Sequence, residues 1–112
     1  MPAFIKDLMY EFAKDMRRLF GTNLTSVLVY GSYARGEYTE NSDVDVMILV
    51  KTPENEIRNY TDQIADCAFE YLMKYGIDIS PVVKNEEHFN YWVENLPYYR
   101  NVKEEGVRVD AG

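Results

Sequence analysis

The sequence predicts an α/β (α+β) fold in which a small β-sheet of three to four strands is covered by helices. Three observations lead there. Two long segments, Phe4–Phe20 and Glu54–Tyr75, repeat apolar residues at helical spacing. Three short apolar runs, Thr25–Tyr30, Asp43–Lys51 and Ile77–Val83, are set apart by polar residues and glycine. Beyond Asp45 the second run is apolar on both faces, as a central strand with cover on each side must be. At 112 residues and 46% hydrophobic content, the chain reads as one domain, 1–112, with a single core.

Composition excludes several classes of function. Formal charge is −7, and no Lys/Arg stripe is present to neutralise phosphates, so direct binding of DNA or RNA polymers is not expected. The longest apolar runs, Val27–Tyr30 and Val44–Val50, fall far short of a membrane span. The first residues mix acids with apolar side chains and offer no small-residue cleavage site, so no signal peptide is read there. Four prolines and six glycines leave no low-complexity linker. The single cysteine, Cys67, cannot form an internal disulfide, which fits a cytoplasmic protein. Its helical setting makes it core filler rather than a nucleophile.

In chain order, Phe4, Ile5, Leu8, Met9, Phe12, Met16, Leu19 and Phe20 mark one face of a first helix, preceded by Pro2 and stopped by Gly21. Covering the sheet explains them, and binding a partner is the other reading. Thr25–Tyr30 is the first strand; it breaks at Gly31-Ser32 into a short helix over Ser32–Gly36 and a polar loop. Asp43–Lys51 is the second strand. Thr52-Pro53-Glu54 opens a long helix, Glu54–Tyr75, with Ile57, Tyr60, Ile64, Ala65, Ala68, Phe69 and Leu72 as its buried stripe and Gly76 as its stop. Ile77–Val83 is the third strand. Phe89, Trp92, Val93 and Leu96 fit a short helix, and Pro97 starts another that Gly106 ends before Val107-Arg108-Val109. Aromatic side chains left exposed in this last region are suited to stack on a base or touch a protein partner. His88, the only histidine, has no neighbour at metal-ligand spacing and reads as a surface residue.

The chemistry concentrates in Leu28–Val50. Aspartate is depleted in strands, yet Asp43 and Asp45 open the run VDVMILV. Strand side chains alternate, so the two carboxylates project from one side, roughly 6–7 Å apart. Carboxylates that close repel unless a cation or proton sits between them. Mg²⁺, a hard ion that pairs carboxylate oxygens with substrate phosphates, is the natural candidate. Upstream, a strand ending in Gly31-Ser32 before a helix turns N–H groups and a hydroxyl toward an anion. Gly31 permits close approach of a ligand, and Ser32 can cap the helix or donate to a phosphate oxygen. Arg35 is placed either to donate to a triphosphate or to form a local salt bridge with Glu37 or a strand-end aspartate. A Walker A loop is excluded, because Glu37 stands where lysine must be. Asp78 interrupts an apolar alternation in the third strand. It is a plain edge aspartate, or, if that strand lies beside the second, a third carboxylate on the surface of Asp43 and Asp45.

Gly31-Ser32, ten residues, then Asp43-Val44-Asp45 resembles the GS-x10-DxD pattern of the DNA polymerase beta-type nucleotidyltransferase superfamily. The string GSYARGEYTENSDVDVMILV is similar to its small prokaryotic branch, the minimal nucleotidyltransferases. The resemblance implies a mixed sheet of the polymerase beta-like palm type. It makes Asp78 the match to the third carboxylate. It also implies transfer of a nucleoside monophosphate from NTP, ATP foremost, with two Mg²⁺ ions held by Asp43, Asp45 and Asp78. Gly31, Ser32 and Arg35 would seat the triphosphate, and Asp78 would take the acceptor's proton. Minimal nucleotidyltransferases resemble the antitoxin half of a pair whose toxin is a HEPN-domain ribonuclease, so AMP transfer onto a tyrosine of that toxin is the implied activity. Two alternatives stand beside it: an antitoxin that acts by docking, and a homodimeric small-molecule nucleotidyltransferase with its acceptor bound between subunits.

Overall fold

The computed structural model describes residues 1–110. The apolar runs pair into one sheet built from β1 (Leu24–Tyr30), β2 (Val44–Val50), β3 (Ile79–Asn85) and β4 (Val107–Arg108). Their order across the sheet is β3-β2-β1-β4. β1 runs antiparallel to both β2 and β4, whereas β2 and β3 are parallel. The sheet is mixed, as expected.

Strand alternation sorts β2 between two cores. Val44, Val46, Ile48 and Val50 face one layer, where α1 (Ala3–Phe20) contributes Met9, Phe12 and Met16 and α4 (Thr61–Tyr75) contributes Ile64, Ala68 and Tyr71. Met47 and Leu49 face the other, where α5 (Glu86–Trp92) contributes Phe89 and α6 (Pro97–Glu105) contributes Tyr99 and Val102. Helices therefore cover both faces, which is why β2 carries hydrophobic residues at every position past Asp45. Asn85 joins sheet to helix: its side chain caps α5 by accepting from the His88 N–H and donates to the carbonyls of Lys51 and Thr52.

Two expectations are corrected. Glu54–Tyr75 is not one helix: α3 (Glu54–Ile57) gives way to a 3₁₀ turn at Arg58–Tyr60 before α4 begins. Glu54 on α3 accepts the Asn85 N–H at the end of β3, and Tyr60 stacks on Phe20 of α1. Serving both anchors re-aims the chain, and the tighter turn absorbs the change. The stripe also shifts. Ile64, Ala68 and Tyr71 are buried, while Ala65, Phe69 and Leu72 are exposed along a groove beside β3. On α1, Phe4 likewise lies outside the core. β4 extends the sheet by two residues past β1, and Pro81 sits inside β3, the strand at the opposite margin.

Candidate active site

The topology brings four chain segments to one end of the sheet. β2 and β3 are parallel, so both enter there, each preceded by an aspartate: Asp43 before Val44, and Asp78 before Ile79. β1 runs the other way and ends there, with Tyr30 paired to Asp45 and Gly31 immediately beyond. β4 is antiparallel to β1, so Glu105 and Gly106, which precede it, return to the same end. Asp45 also pairs with Ser80, and the Val44 N–H donates to the Asp78 carbonyl at 2.8 Å. This register sets Asp43 beside Asp78; Asp45 lies on the face that carries Met47, and Asp78, just ahead of β3, also borders the groove on the α4 face.

Asp43 and Asp78 are exposed, and Asp45 is half-buried. Burial pushes the Asp45 carboxyl up from its ordinary range; the Asp43 charge adds to this, and Arg35 opposes it. Asp78 is raised by partial desolvation and by Asp43, whose carboxyl lies within hydrogen-bonding reach. Because Asp78 is largely solvent-exposed, the neighbouring charge is the contribution that matters physically. Asp43 thus acts on Asp78 on one side and on Asp45 on the other. Among the described residues, no group of three or more His, Cys, Asp or Glu side chains converges closely enough to hold a metal ion. The three acids form two adjacent pairs sharing Asp43.

Gly31 is required by geometry. Its φ is +75°, and a Cβ built on it would stand 2.3 Å from Asp45 Oδ2. Its N–H points to Glu105, whose Oε1 accepts it at 3.0 Å. Glu105 also accepts from Arg35 Nη1, at 3.2 Å to Oε1 and 3.4 Å to Oε2. Arg35 Nε lies 3.5 Å from Glu37 Oε2, so the local salt bridge weighed from the sequence is present as well. Glu105 went unrecognised in the sequence because it lies 70 residues from Arg35. Ser32 opens the four-residue helix α2 (Ser32–Arg35) and is half-buried. Beside Asp45, the phenol oxygens of Tyr30 and Tyr98 are 2.6 Å apart. Burial, that hydrogen bond and the Asp45 charge hold the Tyr30 phenol strongly protonated.

A polar cavity of ≈ 220 Å³ opens against Asp43 and Asp78 and is walled by Tyr33, Glu40, Asn41 and Ser42. The larger groove between α4 and β3, ≈ 510 Å³, is apolar and meets the acids only through Asp78. Two of the three acids, Asp43 and Asp78, line the smaller cavity, which makes it the chemically relevant one.

Residues 9–109 match the nucleotidyltransferase domain family. The chain belongs to that family. It is 35% identical over 96 residues to a "Putative protein adenylyltransferase" of Methanocaldococcus jannaschii, covering 86% of this chain and 88% of that protein. A second protein of that organism, with the same descriptive name, is 37% identical over 95 residues, covering 85% and 94%. Among solved structures, a "putative nucleotidyltransferase" from Sulfolobus solfataricus superposes with a TM-score of 0.59 at 20% identity, over 92% of this chain and 77% of that one. A chain of a toxin-antitoxin structure with AMP-PNP gives 0.55 at 17% identity, over 89% and 71%. This nucleotidyltransferase therefore shares its fold with both, and the enzyme class expected from the motif holds.

Proposed function

We propose that this nucleotidyltransferase moves AMP from ATP to a hydroxyl of a partner protein, in a reaction supported by Mg²⁺. The observation that carries the reading is the gathering of Gly31, Arg35, Asp43, Asp45 and Asp78 at one end of the sheet through the parallel β2–β3 pair and the antiparallel β1–β2 pair. The donor chemistry fits a hard divalent cation: the acids offer only oxygens, and Asp43 raises the proton affinity of both neighbours, so positive charge is favoured there. Asp43 with Asp45, and Asp43 with Asp78, would each supply part of a metal site that substrate phosphate oxygens complete, and the metal would neutralise phosphate charge when bound. Gly31 N–H and Arg35 bind and orient the triphosphate, with Ser32 beside them. The acceptor oxygen attacks the α-phosphorus, the bond to the bridging oxygen of the β-phosphate breaks, and pyrophosphate leaves. Asp78, whose proton affinity Asp43 raises, accepts the hydroxyl proton.

The acceptor assigned here is a tyrosine of a HEPN-class ribonuclease toxin, the partner implied by the resemblance of the motif stretch. The fold likeness to a chain of a toxin-antitoxin structure supports a protein partner. Co-expression with such a ribonuclease, followed by mass spectrometry, tests it. A gain of AMP units on tyrosine is expected. A tight but unmodified complex means inhibition by docking, and no complex points to a small-molecule acceptor.

The carboxylate repulsion gives a separate expectation. Raised folded-state pKa values at Asp45 and Asp78 mean that the folded protein binds more protons than the unfolded chain above the ordinary carboxylate value. Stability of the metal-free protein therefore falls as pH rises through that range. Asp43→Asn leaves the desolvation of both groups and removes the neighbouring charge that adds to it. In EDTA at neutral pH its Tm should rise by about 2–5 °C, and the stabilisation that Mg²⁺ gives the wild type should be lost, both read by thermal melts.

A further inference from the structure

Glu105 occupies the place where the proposed function needs an anion. Its carboxylate accepts the Gly31 N–H and the Arg35 guanidinium, the same two groups assigned above to phosphate oxygens. A carboxylate and a triphosphate compete for those donors, because two anions on one set of N–H groups repel at short range. We propose that Glu105 is an internal competitor of the triphosphate, a side-chain latch that must swing out before ATP is seated. Resting on the nucleotide reading, it adds a specificity element: only a ligand offering Arg35 and Gly31 more anionic charge than one carboxylate opens the seat, which favours triphosphates over weakly charged anions.

The surroundings define what moves. Glu105 ends α6, and Gly106 follows in a space with no room for a side chain, since a Cβ there would stand 2.4 Å from the Val102 carbonyl oxygen. Val102 is fully buried, and Val107 and Arg108 are paired to β1. The backbone on either side of Glu105 is therefore fixed. Its side chain is 25% exposed and Arg35 is 43% exposed, so solvent reaches the ion pair. Displacement is a rotamer change at Glu105 with the helix left in place.

Calorimetric titration with Mg·ATP decides the matter. Glu105→Gln keeps the shape and removes the charge, so Gly31 N–H and the Nη1 side of Arg35 are held only by a neutral amide oxygen, while Glu37 stays on Nε. ATP should bind about tenfold tighter than to the wild type, since a neutral acceptor is the weaker competitor. Glu104→Gln, the same charge change one residue away at an exposed position, should leave affinity within about twofold. Equal tightening by both variants would mean a general charge effect and would overturn the latch. Unchanged or weaker binding by Glu105→Gln would also overturn it, making Glu105 a brace for Gly31 and Arg35. A measurement on the wild type guards against poor folding of the variant: the carboxyl ¹³C signal of Glu105 should shift on addition of Mg·ATP, and a signal that stays put while ATP binds rejects the proposal. If the wild type binds no ATP, the nucleotide reading fails and the latch with it. If the wild type binds but Glu105→Gln is no tighter, the latch alone fails.

Discussion

Asp45→Asn is expected to lower AMP transfer by a factor on the order of 10²–10³, with the fold retained. Asp45 is the inner member of the acid row, half-buried, opposite Tyr30 and against Gly31. Asparagine keeps its volume and the contact with Gly31 while deleting the charge that would face a metal and the reacting phosphate. Burial already works against the charged form of Asp45. The variant should therefore melt no lower than the wild type in EDTA, and it should lose the rise in Tm that Mg²⁺ provides. Labelled-ATP transfer to the co-expressed partner, together with the melt, reads both. Wild-type activity in Asp45→Asn would remove Asp45 from the chemistry, and a collapsed fold would make its role structural.

Gly31→Ala should damage fold and activity together. Alanine at φ +75° and ψ −152°, a region essentially restricted to glycine, costs about 1–3 kcal/mol for the backbone alone. Its methyl would overlap Asp45 Oδ2, which has to move. The total loss should be about 2–4 kcal/mol, read as a lower urea midpoint at unchanged slope. Transfer should drop because the displaced group is the carboxylate the site depends on. The double variant Gly31→Ala/Asp45→Ala separates the two causes. Removing the carboxylate should recover the steric part and leave the backbone part, giving a coupling energy of about 1 kcal/mol or more. Strict additivity would show that the two residues do not press on one another.

Local signals in the sequence carried the sheet and much of the site. The runs around Val27, Val46 and Val82 are apolar, with polar residues or glycine between them, so three strands follow from composition and spacing. Gly31, Asp43 and Asp45 were legible because strand ends rarely carry such residues without cause. Two kinds of feature were not. The inner face of α4 is one: Ala65, Phe69 and Leu72 trace as good an apolar stripe as Ile64, Ala68 and Tyr71, and only packing against the sheet chooses between them. Pairings across the chain are the other. β4 is two residues long and exists because β1 offers it a partner. Glu105 meets Arg35 only once that strand has closed.

The sheet's two margins also govern how the molecule can associate. At one margin Pro81 interrupts the outer row of amide donors in β3, and at the other β4 presents only two residues. Both features disfavour the addition of a strand from a neighbouring polypeptide. That leaves side chains on the helical layers as the better-suited surface for a lasting complex, and the same arrangement protects the protein against strand-by-strand aggregation.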